Sequence, residues 1–317
     1  MVLFFVNIEN NFILYKPETM NKFLAFVVAA VLSGGVMTVT AQTKTQNLRK
    51  SIAEIAKEND GKLGVGVINF NTGDTLTYNG DELFPMAQLG NLPVGLLTLN
   101  IVDKQGGTLK YKVPVKASEL QENAFCPLLN KYPNGDTEIA LNDLVAYMIG
   151  FDDENATDIL TRQIGGLSNV NQFLAENNVR GMKLNATQKD QNANYQRYYD
   201  NYSTPYAMLQ LLRAYNSGKI INGNLKGYFN SLLQQVPAGT DRIRSGLPEN
   251  VSLAHKTGSS QANAKGTYAA TNDVGIFNMP NGDKVGLVVF LKDSKKNRVN
   301  RDRIIADVTK AVWADFQ

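Results

Sequence analysis

Strand-like segments stand near both ends of this chain, and helical periodicity runs between them from about residue 87 to residue 235. Residues 45–60 read as a helix with Ile52, Ile55 and Ala56 on one face. Two alternating runs, Leu63–Phe70 and Thr75–Tyr78, flank Asn71-Thr72-Gly73-Asp74, the composition of a hairpin turn. Within the helical stretch, Leu141, Leu144, Val145 and Met148 fall at i, i+3, i+4 and i+7, and Gly150 is placed to end that helix. Strand character returns at Ser252–Lys256, Tyr268–Met279 and Lys284–Lys292, with a second hairpin turn at Pro280-Asn281-Gly282-Asp283. A helix over Val299–Phe316 closes the chain, burying Ile304, Ile305, Val308 and Val312. The expected fold class is α+β: an antiparallel sheet of about five strands, covered on one face by the N- and C-terminal helices, with an inserted all-helical lobe. Residues 42–86 and 237–317 would form the α/β lobe and 87–236 the helical one.

Composition narrows the chemistry. Of 317 residues, 43% are hydrophobic, with 14 Phe and 13 Tyr, enough to fill a large core and too apolar for a disordered chain. The formal net charge of +3 gives no reason to expect nucleic acid as a partner. The basic run Lys292, Lys295, Lys296, Arg298, Arg301 and Arg303 reads as a solvated loop and helix start. One cysteine, Cys126, rules out an internal disulfide framework and Cys-based metal sites. One histidine, His255, rules out multi-His zinc sites and leaves a Ser-His-Asp triad only if His255 carries it.

The N-terminus reads as an export signal. Lys22 precedes the apolar run Phe23–Leu32, and Val39-Thr40-Ala41 puts small residues at −3 and −1 before Gln42. Met20 offers an alternative start, which would make residues 1–19 an upstream extension. The rival reading is an uncleaved anchor, but the run is short against the ~20 residues of a membrane span. An exported, periplasmic protein is expected, cleaved near Ala41, with 42–317 as its mature domain and no membrane contact thereafter.

His255-Lys256-Thr257-Gly258-Ser259 on a strand, in this order of elements, resembles the class A serine β-lactamases. Phe84-Pro85-Met86 stands where that family leads into its nucleophile helix, and Gly165-Gly166 opens a helix at the family position. Ala269-Ala270-Thr271-Asn272-Asp273-Val274-Gly275 and Lys292-Asp293-Ser294 follow the Lys-Thr-Gly strand as they do in the family. The resemblance covers nearly all of the chain after the export segment.

The family's reacting groups do not follow the resemblance. Its Ser-x-x-Lys motif should come after Met86, where this chain reads Ala87-Gln88-Leu89-Gly90-Asn91. Gln88 therefore holds the serine position and Asn91 the lysine position. A carboxamide nitrogen is no nucleophile, because its lone pair is delocalised, and Asn91 takes no proton near neutral pH. The family's Ser-Asp-Asn loop aligns, through Tyr147 and Asp158, with Asp152-Asp153-Glu154. Counting back from Asn201-Tyr202-Ser203-Thr204-Pro205 puts Gln188, or Ala186 after a two-residue shift, at the position of the deacylating glutamate. Neither side chain is a general base. The resemblance keeps Lys256 and Thr257, and implies an oxyanion hole from the backbone N–H groups of Gln88 and Ser259. Gly90 and Pro93 are expected to weaken the start of the nucleophile helix.

Several residues admit two readings. Lys256, Thr257 and Gly258 suit a ligand carboxylate, or are kept because the strand packs closely on the helical lobe. Asp152, Asp153 and Glu154 offer hard oxygens to a cation, or form an acidic N-cap for a helix starting near Asn155; no metal and no cofactor are expected. Phe125-Cys126-Pro127 aligns with the loop that gates the family's cleft. Cys126 is thus either a small apolar residue or a thiol made reactive by a pKa lowered beside Lys256. His255 is read as a structural histidine facing away from the cleft. Asp152, standing where the family has a neutral serine, should bring a carboxylate within reach of the Lys256 ammonium. The expected protein is a monomer without hydrolytic activity that holds a small molecule, β-lactam or peptidoglycan-like, or a protein in its cleft. The alternative is a weak β-lactam hydrolase of altered mechanism, dependent on Cys126 in one form.

Overall fold

A computed structural model describes residues 46–122 and 125–316, with a short backbone pairing of Asn7–Ile8 and Asn11–Phe12. The export segment expected over residues 1–41 otherwise lies outside the described residues. Among those described, no helix is long and apolar enough to cross a membrane. Residues 49–317 form one unit that contains both lobes.

Helix α1 spans 46–56 and leads into the hairpin of β1 (Lys62–Asn69) and β2 (Thr75–Tyr78). Strands β3 (Leu253–Ser259), β4 (Thr271–Asn278) and β5 (Lys284–Lys292) complete an antiparallel sheet of five strands in the order β3-β4-β5-β1-β2. The chain's two ends meet where β5 pairs with β1, Val289 opposite Val65. This long-range pairing closes the sheet around the insertion. Expected and observed strands agree closely, except that Tyr268 makes only isolated bridges, to Ala262 and Ser294, and β4 begins at Thr271.

The two faces of β1 carry different side chains. Leu63, Val65 and Val67 are buried on one side; on the other, glycines at 64 and 66 leave room for the helical lobe. A Cβ on Gly66 would come within 2.9 Å of Leu209 in α8 (Pro205–Asn216), and one on Gly64 within 2.5 Å of the Phe84 ring. Helix α10 (Arg298–Phe316) packs on β4 and β5, with Trp313 against Phe277 at 6.2 Å between ring centroids. An ion pair from Arg303 to Glu58, just past α1, brings the two terminal helices to the same side.

The inserted lobe is built around α2 (Asn91–Lys104), in which Asn91 to Asn100 are all buried, so other helices surround it. Helices α4 (Leu141–Phe151), α5 (Glu154–Gln163), α6 (Leu167–Glu176) and α9 (Gly223–Gln234) pack against it or one another, with the shorter α3 (Pro127–Lys131) beside α4 and α7 (Gln188–Ala193) beside α5. The lobe is not all helical, as the periodicity had suggested. Lys112–Val115 pairs with Thr137–Ala140, and Tyr202–Ser203 bridges Phe84–Pro85 and Met182–Lys183. Pairings of two to four residues are too short to impose a period of two on the sequence. Pro93 does not weaken α2 either: it lies in the first turn, where a missing N–H costs no intrahelical bond.

Candidate functional site

The site is a cleft between β3 and the helical lobe, and Gly258 sets its depth. A Cβ there would stand 2.5 Å from Met86 O and 2.9 Å from Leu89 N, so the Ala87–Gly90 turn rests directly on the strand. Asn272 on β4 donates from Nδ2 to Pro85 O at 2.9 Å, and Met86 N–H donates to Asn201 O at 2.9 Å. Ala87 is held at φ 48°, a left-handed conformation that costs a residue with a Cβ about 1 kcal/mol or more. These contacts fix the direction in which residue 88 points.

Gln88 points at β3. Its Oε1 accepts the Ser259 N–H at 2.9 Å. The expected oxyanion hole is therefore not open: one of its two amides is already bonded to a carbonyl oxygen of the chain itself. Asn91, one helical turn on, is fully buried. It donates from Nδ2 to Met148 O at 3.0 Å and accepts at Oδ1 from Thr157 Oγ1 at 3.2 Å. Its amide is part of the lobe's packing and is no base near neutral pH.

The Asp152-Asp153-Glu154 corner joins two helices. The expected stop at Gly150 is passed; α4 runs to Phe151 and ends because Asp152 adopts φ 57°, a conformation that Asp tolerates better than most residues. That turn sends the Asp152 carboxylate across the cleft to Lys256, whose Nζ donates to Asp152 Oδ1 and, at 2.9 Å, to Thr257 O. Lys256 is fully buried and the Asp152 side chain 22% exposed, so the ammonium reaches solvent only past its partner. Asp153 caps α5: Oδ1 accepts from Ala156 N–H at 2.8 Å and Oδ2 from Leu128 N–H at 2.6 Å. Glu154 accepts at Oε2 from Asn192 Nδ2 at 2.6 Å and Phe125 N–H at 3.2 Å. Burial raises the carboxyl pKa of both, against the lowering effect of these donors. Among the described residues, no group of three or more His, Cys, Asp or Glu is arranged to hold a metal ion.

Of the two readings of Cys126, the reactive thiol with a lowered pKa is contradicted. Burial, and after it the charge of Asp153, push its thiol up to about 11. Its sulfur lies 3.5 Å from Asp153 Oδ1 and accepts from Asn155 Nδ2 at 2.8 Å. It faces a carboxylate instead of the Lys256 ammonium, which disfavours the thiolate. His255 is buried with Nδ1 3.0 Å from Asp273 Oδ1, a bond within the sheet.

Both candidates for the deacylating position are buried. Gln188 opens α7 and gives its backbone N–H to Asp158 Oδ1 at 2.8 Å, while Ala186 exchanges bonds in both directions with the Asn201 amide. Together with Gly90 and Thr157 they line a cavity of about 10 Å³, at the lower limit for one water molecule. Sequence reasoning missed Arg242. Its guanidinium pairs with Asp302 at 2.7 Å and donates to Asn272 O and, from Nη2 at 2.8 Å, to Ser259 Oγ. No periodicity marks a residue on a 3₁₀ turn that reaches a strand 17 positions away; burial of an arginine beside β3 is the only sign.

With this geometry in hand, similarity to known proteins becomes specific. Residues 47–316 match a family model described as the beta-lactamase enzyme family. The chain is 30% identical to β-lactamase VEB-1 of Pseudomonas aeruginosa, over 92% of this chain and 98% of that protein. It is also 30% identical to a β-lactamase of Bacteroides uniformis, over 91% and 97%. A crystal structure of a β-lactamase from Chitinophaga pinensis superposes with a TM-score of 0.82 at 33% identity, covering 86% of this chain and all of that one.

Proposed function

The chain belongs to the class A β-lactamase family, and from that premise we propose that it is a non-hydrolytic member: an exported, periplasmic monomer that binds a ligand in the inherited cleft and opens no β-lactam ring. The observation that carries this reading is Gln88, whose carbonyl oxygen sits on the Ser259 N–H at 2.9 Å. A serine hydrolase needs an attacking oxygen at that residue and an empty hydrogen-bond donor for the developing oxyanion. Here the residue supplies no attacking atom and consumes the donor. Asn91 is committed to Met148 and Thr157, and neither Gln188 nor Ala186 can activate water. Export rests on the N-terminal sequence pattern alone. No cofactor is required for binding of this kind.

The test is intact-mass measurement after incubation with a reactive penicillin, beside turnover of a chromogenic cephalosporin. No adduct and no turnover above a carrier-protein control are expected. Gln88→Ser should leave turnover at that baseline, because the groups that would deprotonate the serine and the water are still missing. A stoichiometric acyl adduct on the unmodified protein would overturn the reading.

A further inference from the structure

Apart from the cleft, a second cavity opens at the free edge of the sheet. It measures about 290 Å³, room for a small organic molecule and far more than one water needs. Strand β3 is an edge strand, and His255 and Lys256 are neighbours on it, so their side chains leave opposite faces of the sheet. Lys256 turns to the cleft, and His255 lines the cavity. Other walls come from Gln234 at the end of α9, from Arg244 on the Ile243–Gly246 turn, and from Ser252 just before β3.

Two groups here stand without the usual partner. His255 is 6% exposed; its Nδ1 lies 3.0 Å from Asp273 Oδ1 on β4, and among the described residues Nε2 has no partner. The two ring nitrogens diverge, so a ring that aims Nδ1 inward at β4 aims Nε2 outward, off the sheet edge and into the cavity. Arg244 donates from Nη1 to Val251 O and from Nη2 to Pro248 O, both neutral, and among the described residues no carboxylate pairs with it. Arg242 and Lys256, the cations of the cleft, each have one. Asp241 and Glu249 are the acidic residues nearest Arg244 in sequence, and neither lines the cavity. The C-terminus of α9 adds about half a negative charge against the full positive charge of the guanidinium, so the cavity stays positive.

The rest of the wall fits the same kind of ligand. Ser252 Oγ accepts from Gln234 Nε2 at 3.0 Å, which leaves its own proton to donate, and Thr240 brings a second hydroxyl. The imidazole donates from Nε2 whenever it carries both protons. Val236, Val251 and Leu253 supply an apolar side. A guanidinium and hydroxyls recognise anionic oxygen, and the apolar side takes a carbon body.

We infer that this cavity binds a small organic anion, with its charged oxygens on Arg244 and His255 Nε2 and its apolar body against Val236 and Leu253. A carboxylate and a phosphate monoester share this chemistry. The site is separate from the cleft and does not depend on whether the cleft hydrolyses anything.

The chain has one histidine, so in untagged protein the imidazole signals in nuclear magnetic resonance spectra report on this cavity directly. Four probes are titrated, with calorimetry in parallel: benzoate, phenyl phosphate, benzyl alcohol and benzylamine. At least one anion should shift the His255 signals and bind about tenfold tighter than benzyl alcohol, with the gap narrowing at 0.5 M salt. Benzoate alone points to a carboxylate ligand, phenyl phosphate alone to a phosphate monoester, and both to the shared anionic oxygen; each supports the inference. Ser252→Glu, at an exposed position, sets a carboxylate beside Arg244 and should abolish the anion preference without altering the far-ultraviolet circular dichroism. Arg244→Lys keeps the charge but loses the planar fork, and should weaken anion binding several-fold. The inference is overturned if benzyl alcohol or benzylamine binds as tightly as the anions, or if neither anion binds. It is overturned equally if the His255 signals stay still while calorimetry shows anion binding, or if the preference survives both substitutions.

Discussion

Asp152→Asn tests the central ion pair with little disturbance of the backbone. Asp152 sits at φ 57°, a region that Asn also enters readily, so the helix end keeps its geometry and only the charge changes. Removing one partner of a buried pair costs about 3–5 kcal/mol when the remaining charge is stranded. Here the cost is reduced. The Asp152 side chain is 22% exposed, Asn keeps an oxygen for the Lys256 ammonium, and Thr257 O remains at 2.9 Å. A destabilisation of about 2 kcal/mol follows, which in a domain of this size lowers Tm by about 4–8 °C. The same change leaves one unit of positive charge unneutralised at the cleft floor. At a separation of about 6 Å and an effective dielectric constant of about 20, a ligand carboxylate would gain about 3 kcal/mol before desolvation. Desolvation opposes this, and the expected outcome is about a tenfold gain in benzylpenicillin affinity at low salt, shrinking as salt is raised. Thermal melts and calorimetric titration at two salt concentrations read both quantities. A Tm within 1 °C of the parent together with unchanged penicillin affinity would refute the reasoning. Asp152→Ala should destabilise further, by about 1 kcal/mol of backbone strain.

Four further outcomes follow from geometry and titration. Cys126, with its thiol pushed up to about 11, should react with iodoacetamide at pH 8 about a hundredfold more slowly than a free thiol, and labelling at an ordinary rate would revive the cysteine-dependent alternative. Gly258→Ala should cost about 3 kcal/mol or more by melting, since its Cβ meets backbone atoms that no rotamer can move. Gly227→Ala in α9, with nothing within 4 Å, should stabilise by about 0.5–1 kcal/mol. Burial raises the pKa of Asp153, Glu154 and Asp158, so each holds its proton more tightly folded than unfolded, and their contribution to stability falls as pH rises from about 4 through the raised values. Glu82, lowered to about 2 chiefly by its bonds to Lys292 and Lys62, acts oppositely and loses its contribution as pH falls from about 4.5 toward 2. Tm should accordingly peak on the acid side of neutral, and a steady rise of Tm from pH 5 to 8 would contradict the assignment.

The sheet was legible because strands that are buried on one or both faces carry their own signature. Lys284–Lys292 could be read residue for residue, and the Lys-Thr-Gly spacing placed Lys256, Gly258 and the partner strand. Motif spacing also located Asp152 opposite Lys256, since helix α4 delivers the residue just past its end to one place. What stayed hidden depends on where side chains turn after the backbone is set. Nothing in Ala87-Gln88-Leu89 reveals that the Gln88 amide folds back onto Ser259 N–H, 171 positions later. The environment of Cys126 was misjudged for a related reason. Its sequence neighbours are neutral, and the carboxylate that controls it arrives from Asp153, on the far side of a helix corner.

The contacts that shape the cleft and the groups that would react in it are carried by different atoms. Gly258 works by lacking a side chain, Asn272 by holding Pro85 O, and Ala87 and Asp152 by their backbone angles. None of these depends on a nucleophile or a base. The positions of the reacting groups can therefore change while the architecture persists, provided each new polar side chain finds a partner, because an unsatisfied buried group costs ~1–3 kcal/mol. Gln88, Asn91 and Asp152 each meet that condition with a group already present: Ser259 N–H, Met148 O and the Lys256 ammonium. Each partner recruited this way is withdrawn from ligand recognition.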